Sequence, residues 1–226
     1  MNSGVCAVIL AAGSGSRMNL NTTKQKIQLG TESVLRRSVR IFDSCDSIDS
    51  IVVVCRADEV EFAEKETQCF SKVCSVVVGG DTRVESAKIG FSAIPEDAEY
   101  VAIHDAARCF ITADMISAVV FDAKKYGAAT ASAKVTDTLK LVDENKNITK
   151  TVDRSVVVAV QTPQIFRVDL YKKAIDACKL CEGVTDDNML LELIGIAPHC
   201  TDTGKSNIKL TTVEDLAYAN YLLNGE

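Results

Sequence analysis

Val5-Cys6-Ala7-Val8-Ile9-Leu10, running directly into Ala11-Ala12-Gly13-Ser14-Gly15-Ser16-Arg17-Met18, is the stretch on which the fold turns. A short unbroken apolar run of this kind suits a strand covered on both faces, the situation of a parallel sheet with helices on either side. The loop that follows consists of small residues. With no Cβ at Gly13 and Gly15, backbone N–H groups can approach phosphate oxygens, so the loop is a candidate anion cradle, with a plain strand-to-helix turn as the alternative. A dinucleotide fingerprint would place its third glycine at Met18, and a P-loop needs a Gly-Lys-Ser/Thr that is missing, so the loop is neither. Arg17 and, seven residues on, Lys24 in Thr23-Lys24-Gln25 set two cations beside it, a set that suits a triphosphate.

Outward from this stretch the same alternation continues. Ile51 to Cys55, Val73 to Val78, Tyr100 to Ile103 and Ala128 to Lys134 read as further strands. Thr31 to Ser44, Asp58 to Phe70, Thr82 to Ala93, Ala113 to Tyr126, Val168 to Cys181 and Val213 to Leu222 read as helices. Strand and helix in turn predict βαβ units and an α/β fold with one doubly wound, mostly parallel, Rossmann-like sheet. Val135 to Val157 breaks the pattern: it is polar, turns around Glu144-Asn145-Lys146-Asn147, and reads as a β-hairpin arm protruding from the sheet. The expected organisation is a single domain over residues 1–226 with an arm at about 135–157, in keeping with ordinary domain sizes.

The chain has 226 residues, 47% of them hydrophobic and 25% charged, which excludes disordered and fibrous classes. Its 25 Lys and Arg stand against 31 Asp and Glu, a formal charge of −6. That sign is wrong for a general nucleic-acid or anionic-membrane surface, so any bound anion must be met by a few placed cations. Nine cysteines, an odd and scattered number, do not form the framework of a small secreted scaffold, and no leader or membrane span is legible. A cytoplasmic protein is expected.

Two more segments carry chemistry. Gly79-Gly80-Asp81-Thr82-Arg83 follows the third strand, with Ser86 in the next helix; Asp81 or Thr82 can simply cap that helix, yet loops at the carboxyl ends of neighbouring parallel strands line one crevice. His104-Asp105-Ala106-Ala107-Arg108 follows Tyr100 to Ile103. A carboxylate there, beside a phosphate loop, is placed to hold a hard cation such as Mg²⁺, which makes Asp105 the metal candidate, with a turn-forming Asp as the alternative. His104 is read as a packed or hydrogen-bonding histidine, and Cys178 and Cys181 as ordinary thiols. Two histidines assemble no nucleophilic triad.

Together these segments resemble the cytidylyltransferases that act on polyol phosphates, most closely those that use 2-C-methyl-D-erythritol 4-phosphate in non-mevalonate isoprenoid synthesis. The resemblance also runs through Thr151-Val152-Asp153-Arg154, Gln161-Thr162-Pro163-Gln164, Thr185-Asp186-Asp187 and Asn207-Ile208-Lys209, and covers nearly the whole chain. It implies that CTP and a polyol phosphate give a CDP-polyol and pyrophosphate. It further implies that Arg17, Lys24 and Lys209 are catalytic cations and that Asp105 associates with Mg²⁺ or another divalent cation. Ala11, Ala12, Gly13, Gly80, Asp81, Ser86 and Ala106 then belong to the CTP site, and Arg108, Arg154, Thr162 and Thr185 to the polyol-phosphate site. A homodimer is implied, with Arg154 on the arm reaching the partner's site. Cys109, Val158 and Ser206 depart from the family pattern, and Ser206 removes an acidic group beside Asn207. The rival readings are a ribitol 5-phosphate cytidylyltransferase, a catalytically silent nucleotide-binding module, and, more distantly, a dehydrogenase.

Overall fold

A computed structural model describes residues 4–13, 22–178 and 183–224. Strand β1 (Gly4–Leu10) is followed by a short hairpin of β2 (Gln28–Leu29) and β3 (Glu32–Ser33), then by α1 (Val34–Asp43), β4 (Ser50–Cys55), α2 (Val60–Thr67), β5 (Val73–Val78), α3 (Arg83–Ser92) and β6 (Ala98–Asp105). The second half holds α4 (Ala113–Tyr126), β7 (Ala128–Lys134), β8 (Lys140–Val142), β9 (Ile148–Thr151), β10 (Val158–Arg167), α5 (Val168–Ala177), α6 (Asn188–Glu192), β11 (His199–Asp202) and α7 (Val213–Asn224).

Seven strands form the central sheet in the order β11-β7-β10-β6-β1-β4-β5. Pairings of β1 with β4 and β6, of β4 with β5 and of β7 with β11 are parallel, whereas β10 runs antiparallel to both neighbours. The pleat sorts the apolar run at Val5–Leu10 into two cores. Val5, Ala7 and Ile9 pack with Phe42, Ile116 and Val119 on one face, and Cys6, Val8 and Leu10 with Ala87, Tyr171 and Leu190 on the other. Each fully buried Val, Leu or Ile contributes about 1.5–3 kcal/mol of transfer free energy. A third cluster, Leu29, Val34, Cys109, Leu210 and Ala219, seats α7 against the β2–β3 hairpin and the segment after β11.

Helices α1, α3 and α4 begin where the sequence supplies caps. Ser33 accepts from the Arg36 amide, Thr112 from the Met115 amide, and Thr82 forms a reciprocal box with Glu85. Helix α4 ends on Gly127 in the left-handed region at φ +85°, with Lys124 and Lys125 in its last turn.

The expected α/β sheet and its hairpin arm are present: β8 and β9 pair with each other alone, outside the main sheet, and are exposed along their length. Several expectations need correction. Helix α1 starts at Val34, because the residues before it form the hairpin that positions Ser33 as its cap. Strand β5 is half-buried, since it forms the edge of the sheet and lacks a neighbour on one side. Helix α5 stops at Ala177, and Cys178 is disulfide-bonded, not an ordinary thiol; Cys181 lies outside the described residues. Strands β10 and β11 were not anticipated at all.

Candidate active site

The ends of β1, β4, β5 and β6 all point the same way because the four are parallel, and the loops leaving them converge on one cavity of about 730 Å³. Ala12 and Gly13 come from the first loop, Arg56 and Asp58 from the second, Gly79 to Arg83 from the third, and Asp105 and Ala107 from the fourth. Lys24, Gln25, Ser86 and Lys209 complete the wall. Gly79 is there for a steric reason: a Cβ on it would lie 2.7 Å from Ser86 Oγ and 2.8 Å from Ala12 Cβ, so only glycine lets the third loop close on the first.

Asp105 is the electrostatic centre. Its Oδ1 accepts from Arg83 Nε at 3.1 Å and its Oδ2 from Lys209 Nζ at 2.6 Å, while its amide donates to Thr162 Oγ1 at 3.1 Å. Burial alone would raise its pKa, but the Arg83 and Lys209 charges outweigh it and hold the carboxyl well below the usual range. Arg83 reaches in the other direction as well, donating from Nη1 to Asp187 Oδ2 at 2.6 Å. Burial disfavours its charge, yet the two carboxylates raise its pKa further above the ordinary value.

Lys24 stands on a 3-10 turn over Lys24–Lys26 and is largely buried, its Nζ 3.4 Å from the Leu210 carbonyl. Lys209 is delivered by the chain after β11. That segment is tied down by the Leu210 amide on the Ala107 carbonyl at 2.9 Å and by Asn207 Nδ2, which donates to Gln161 Oε1 and the Thr162 carbonyl, both at 2.9 Å. Arg108 Nη1 donates to the Asn207 carbonyl at 2.9 Å, and burial lowers the Arg108 pKa. Arg108 Nε and Asn207 Oδ1 are buried and lack a hydrogen-bond partner among the described residues.

The residues named from the sequence thus divide. Ala12, Gly13, Lys24, Gly80, Asp81, Ser86, Asp105 and Lys209 meet at the cavity. Ala11 and Ala106 lie just beneath it, fully buried, their amides spent on the carbonyls of Val54 and Leu10. Thr162 backs Asp105, and Thr185 is exposed, its hydroxyl 3.2 Å from Met189 Sδ. Arg154 stands on the exposed arm and donates to the Thr136 carbonyl of its own chain. Arg17 lies outside the described residues. His104 is the packed histidine the sequence suggested, its Nδ1 3.2 Å from Thr162 Oγ1 and its ring tilted against Phe42; burial pushes its pKa down to about 3. Arg83, Tyr171, Gln164 and Asp187, which build the support behind Asp105, were not singled out. Arg83, Gln164 and Asp187 do stand inside quoted motifs, and that was the only signal available.

Among the described residues no three potential metal-ligating side chains converge. Asp105 nevertheless fits a divalent cation of the magnesium type, which commonly takes one or two protein carboxylates and fills its remaining positions with phosphate oxygens and water.

Comparison with known proteins agrees along the full chain. The family model described as 2-C-methyl-D-erythritol 4-phosphate cytidylyltransferase (IspD) matches residues 5–225. The enzyme of that name from Alkaliphilus oremlandii is 38% identical over 220 residues, covering 96% of this chain and 93% of its own. That from Caldanaerobacter subterraneus is 38% identical over 224 residues, covering 97% and 98%. The crystal structure of 4-diphosphocytidyl-2C-methyl-D-erythritol synthase from Anaerococcus prevotii superimposes with a TM-score of 0.87 at 29% identity over 99% of this chain and 97% of that one. The Francisella tularensis 2-C-methyl-D-erythritol 4-phosphate cytidylyltransferase does so with 0.81 at 31% identity over 97% and 99%. The chain belongs to the 2-C-methyl-D-erythritol 4-phosphate cytidylyltransferase family.

Proposed function

We propose that the cavity above β1, β4, β5 and β6 binds CTP, and that the second substrate enters beside Asp105 from the side of Arg108, Thr162 and Thr185. The enzyme is a nucleotidyltransferase that joins CTP and 2-C-methyl-D-erythritol 4-phosphate to give the CDP-polyol and pyrophosphate in isoprenoid synthesis. The observation that carries the site assignment is the meeting of Lys24, Lys209 and Asp105 on the walls of a cavity floored by small residues.

The attacking phosphate is already an anion, so the step asks for position and charge neutralisation more than for proton transfer. Lys24 and Lys209 meet the α-phosphate on whose phosphorus the acceptor oxygen attacks in line, and Arg17 adds a third cation. Lys209 turns from Asp105 toward the phosphate, or shares both. The amides of Ala12 and Gly13 and the Gly80–Asp81 loop, with Ser86 Oγ 3.4 Å from the Gly80 carbonyl, read the base and ribose. Asp105 would hold Mg²⁺ or a similar cation, whose charge then offsets that of the triphosphate. Arg108, Arg154, Thr162 and Thr185 receive the polyol phosphate. The unpaired Arg108 Nε and Asn207 Oδ1 support a polar ligand on this side.

The chain is read as one catalytic domain acting as a homodimer. Supporting this, the arm exposes Leu141, Val142, Ile148 and Val156, the last 81% accessible, an apolar surface suited to burial against a second copy. Arg154 at its root would then complete the partner's site. Surface thiols at Cys69, Cys74 and Cys200 are free, which supports a cytoplasmic location, whereas the Cys178 disulfide runs against it. Pyrophosphate release from CTP with a panel of acceptors tests the function: 2-C-methyl-D-erythritol 4-phosphate should be used at least tenfold better than ribitol 5-phosphate, and the reverse order would contradict the reading.

A further inference from the structure

Behind Asp105 lies a chain of polar contacts through Arg83, Asp187, Tyr171 and Gln164, of which only Arg83 lines the cavity. Asp187 is fully buried. Its Oδ1 accepts from Tyr171 Oη at 2.5 Å, its Oδ2 accepts from Arg83 Nη1 at 2.6 Å, and its amide donates to Gln164 Oε1 at 2.9 Å. Gln164 in turn donates from Nε2 to Asp186 Oδ2 at 2.8 Å. Tyr171 is itself fixed, stacked on Phe166 and edge-on to Phe91 with centroids 5.2 and 5.0 Å away. Burial and the Asp187 charge push its phenol well above the ordinary range, so it stays a donor.

The geometry has two consequences. Arg83 lines the cavity and is gripped at two of its three nitrogens, Nη1 by the buried Asp187 and Nε by Asp105. These two bonds make it a strut between the buried Asp187 and the Asp105 carboxylate. The same carboxylate of Asp187, two residues after Thr185, also anchors the loop carrying that residue. Burying a carboxylate and a guanidinium carries a desolvation penalty that their attraction barely offsets, so a buried pair of this kind is a poor way to gain stability and a good way to fix orientation.

We infer that Asp187, supported by Tyr171 and Gln164, is a positioning residue of this enzyme: through Arg83 it sets Asp105, and through its own loop it sets Thr185, locking the nucleotide and acceptor sides of the site to one another. This rests on the reading of the cavity as the CTP site. Its consequence is a loss in kcat, not in nucleotide affinity, because Asp187 is fully buried behind the cavity wall and acts on the geometry of the reacting groups.

The test is steady-state kinetics of Asp187→Asn, Tyr171→Phe and Arg83→Gln, with the doubles Asp187→Asn/Arg83→Gln and Tyr171→Phe/Arg83→Gln, each normalised to folded protein by circular dichroism. Tyr171→Phe keeps the ring packing and removes one hydrogen bond, so it decides the matter even where Asp187→Asn folds poorly. The expected result is a kcat lowered roughly 10- to 100-fold in Asp187→Asn and roughly 3- to 10-fold in Tyr171→Phe, with the CTP KM within about threefold of wild type. In the Arg83→Gln background either change should cost clearly less than it does alone, since the route through Arg83 is already broken and only that through the Thr185 loop remains. Unchanged kcat in both single variants, or losses that multiply with that of Arg83→Gln, would overturn the inference. Intact kcat in Lys24→Ala and Asp105→Asn would instead overturn the reading of the cavity beneath it.

Discussion

At the scale of single residues, the site is an arrangement of cations around one carboxylate, and its legibility followed from residue type. Asp105 could be named because it closes a strand beside a small-residue loop, and Lys24 because it adds charge beside that loop; Lys209 was reached only through the family resemblance. Arg83 and Asp187 could not, because their job is set by contact with each other across 104 positions of chain. Lys24→Ala should lower kcat by about two orders of magnitude, with a much smaller rise in the CTP KM, the scale of deleting one preorganised charge that acts as negative charge builds on the phosphate. Steady-state kinetics separate the two, and an unchanged kcat with weaker CTP binding would make Lys24 a ground-state contact. His104 gives a prediction about pH. Folded, it titrates near 3; unfolded, near 6.5. The unfolded chain therefore binds the extra proton between those values. The stability due to neutral His104 is present above pH 6.5 and is lost as pH falls toward 3, with a slope approaching about 1.4 kcal/mol per pH unit. Urea unfolding at pH 7 and pH 5 should show this loss shrinking in His104→Gln, and an equal loss in both proteins would refute the assignment.

At the scale of elements, the parallel half of the sheet was readable because its inner strands are continuous apolar runs and its helices α1 and α3 carry their own caps. Strand β10 was not. It holds Pro163, which ordinarily argues against an inner strand, and it accommodates that residue by an irregularity between Val160 and Gln164, where the pairing with β7 is interrupted. Its pairing with β6 runs from Gln164 to Arg167. The irregularity is also where the strand serves the site, turning Thr162 toward Asp105. Strand β11 is four residues of mixed polarity, His199-Cys200-Thr201-Asp202, and has no period to detect. Packing leaves no room for a side chain at Gly90, where α3 crosses the sheet. A Cβ on Gly90 would lie 2.3 Å from Val8 Cγ1 and 2.7 Å from Val54 Cγ2. Alanine is the better helix former by about 1 kcal/mol, so propensity alone favours Gly90→Ala. Overpacking against two fully buried valines should win, and the variant should lose about 1–3 kcal/mol in denaturant unfolding. A gain in stability would show that α3 can lift off the sheet without cost.

At the scale of the whole molecule, a net charge of −6 leaves the protein without a general attraction for polyanions, so the proposed CTP site relies on the few cations gathered in the cavity. The arm extends the argument beyond one chain. If Arg154 serves the partner's site, Lys24→Ala and Arg154→Ala damage different subunits' contributions to one site, and a mixed dimer keeps one site sound. Random reassortment of equal amounts makes about half the dimers mixed, so activity should recover to about a quarter of wild type from two nearly inactive parents, as closed two-fold symmetry requires. Copurification of differently tagged chains without recovered activity would refute the shared site. The central claim, that this cavity passes a cytidylyl group from CTP to 2-C-methyl-D-erythritol 4-phosphate, is tested most directly by pyrophosphate release with each of the four ribonucleoside triphosphates, with and without the acceptor, in wild type and Lys24→Ala. The account predicts release only with CTP and acceptor together, falling about a hundredfold in the variant; release with ATP or GTP at a comparable rate, or release from CTP that Lys24→Ala leaves untouched, would contradict it.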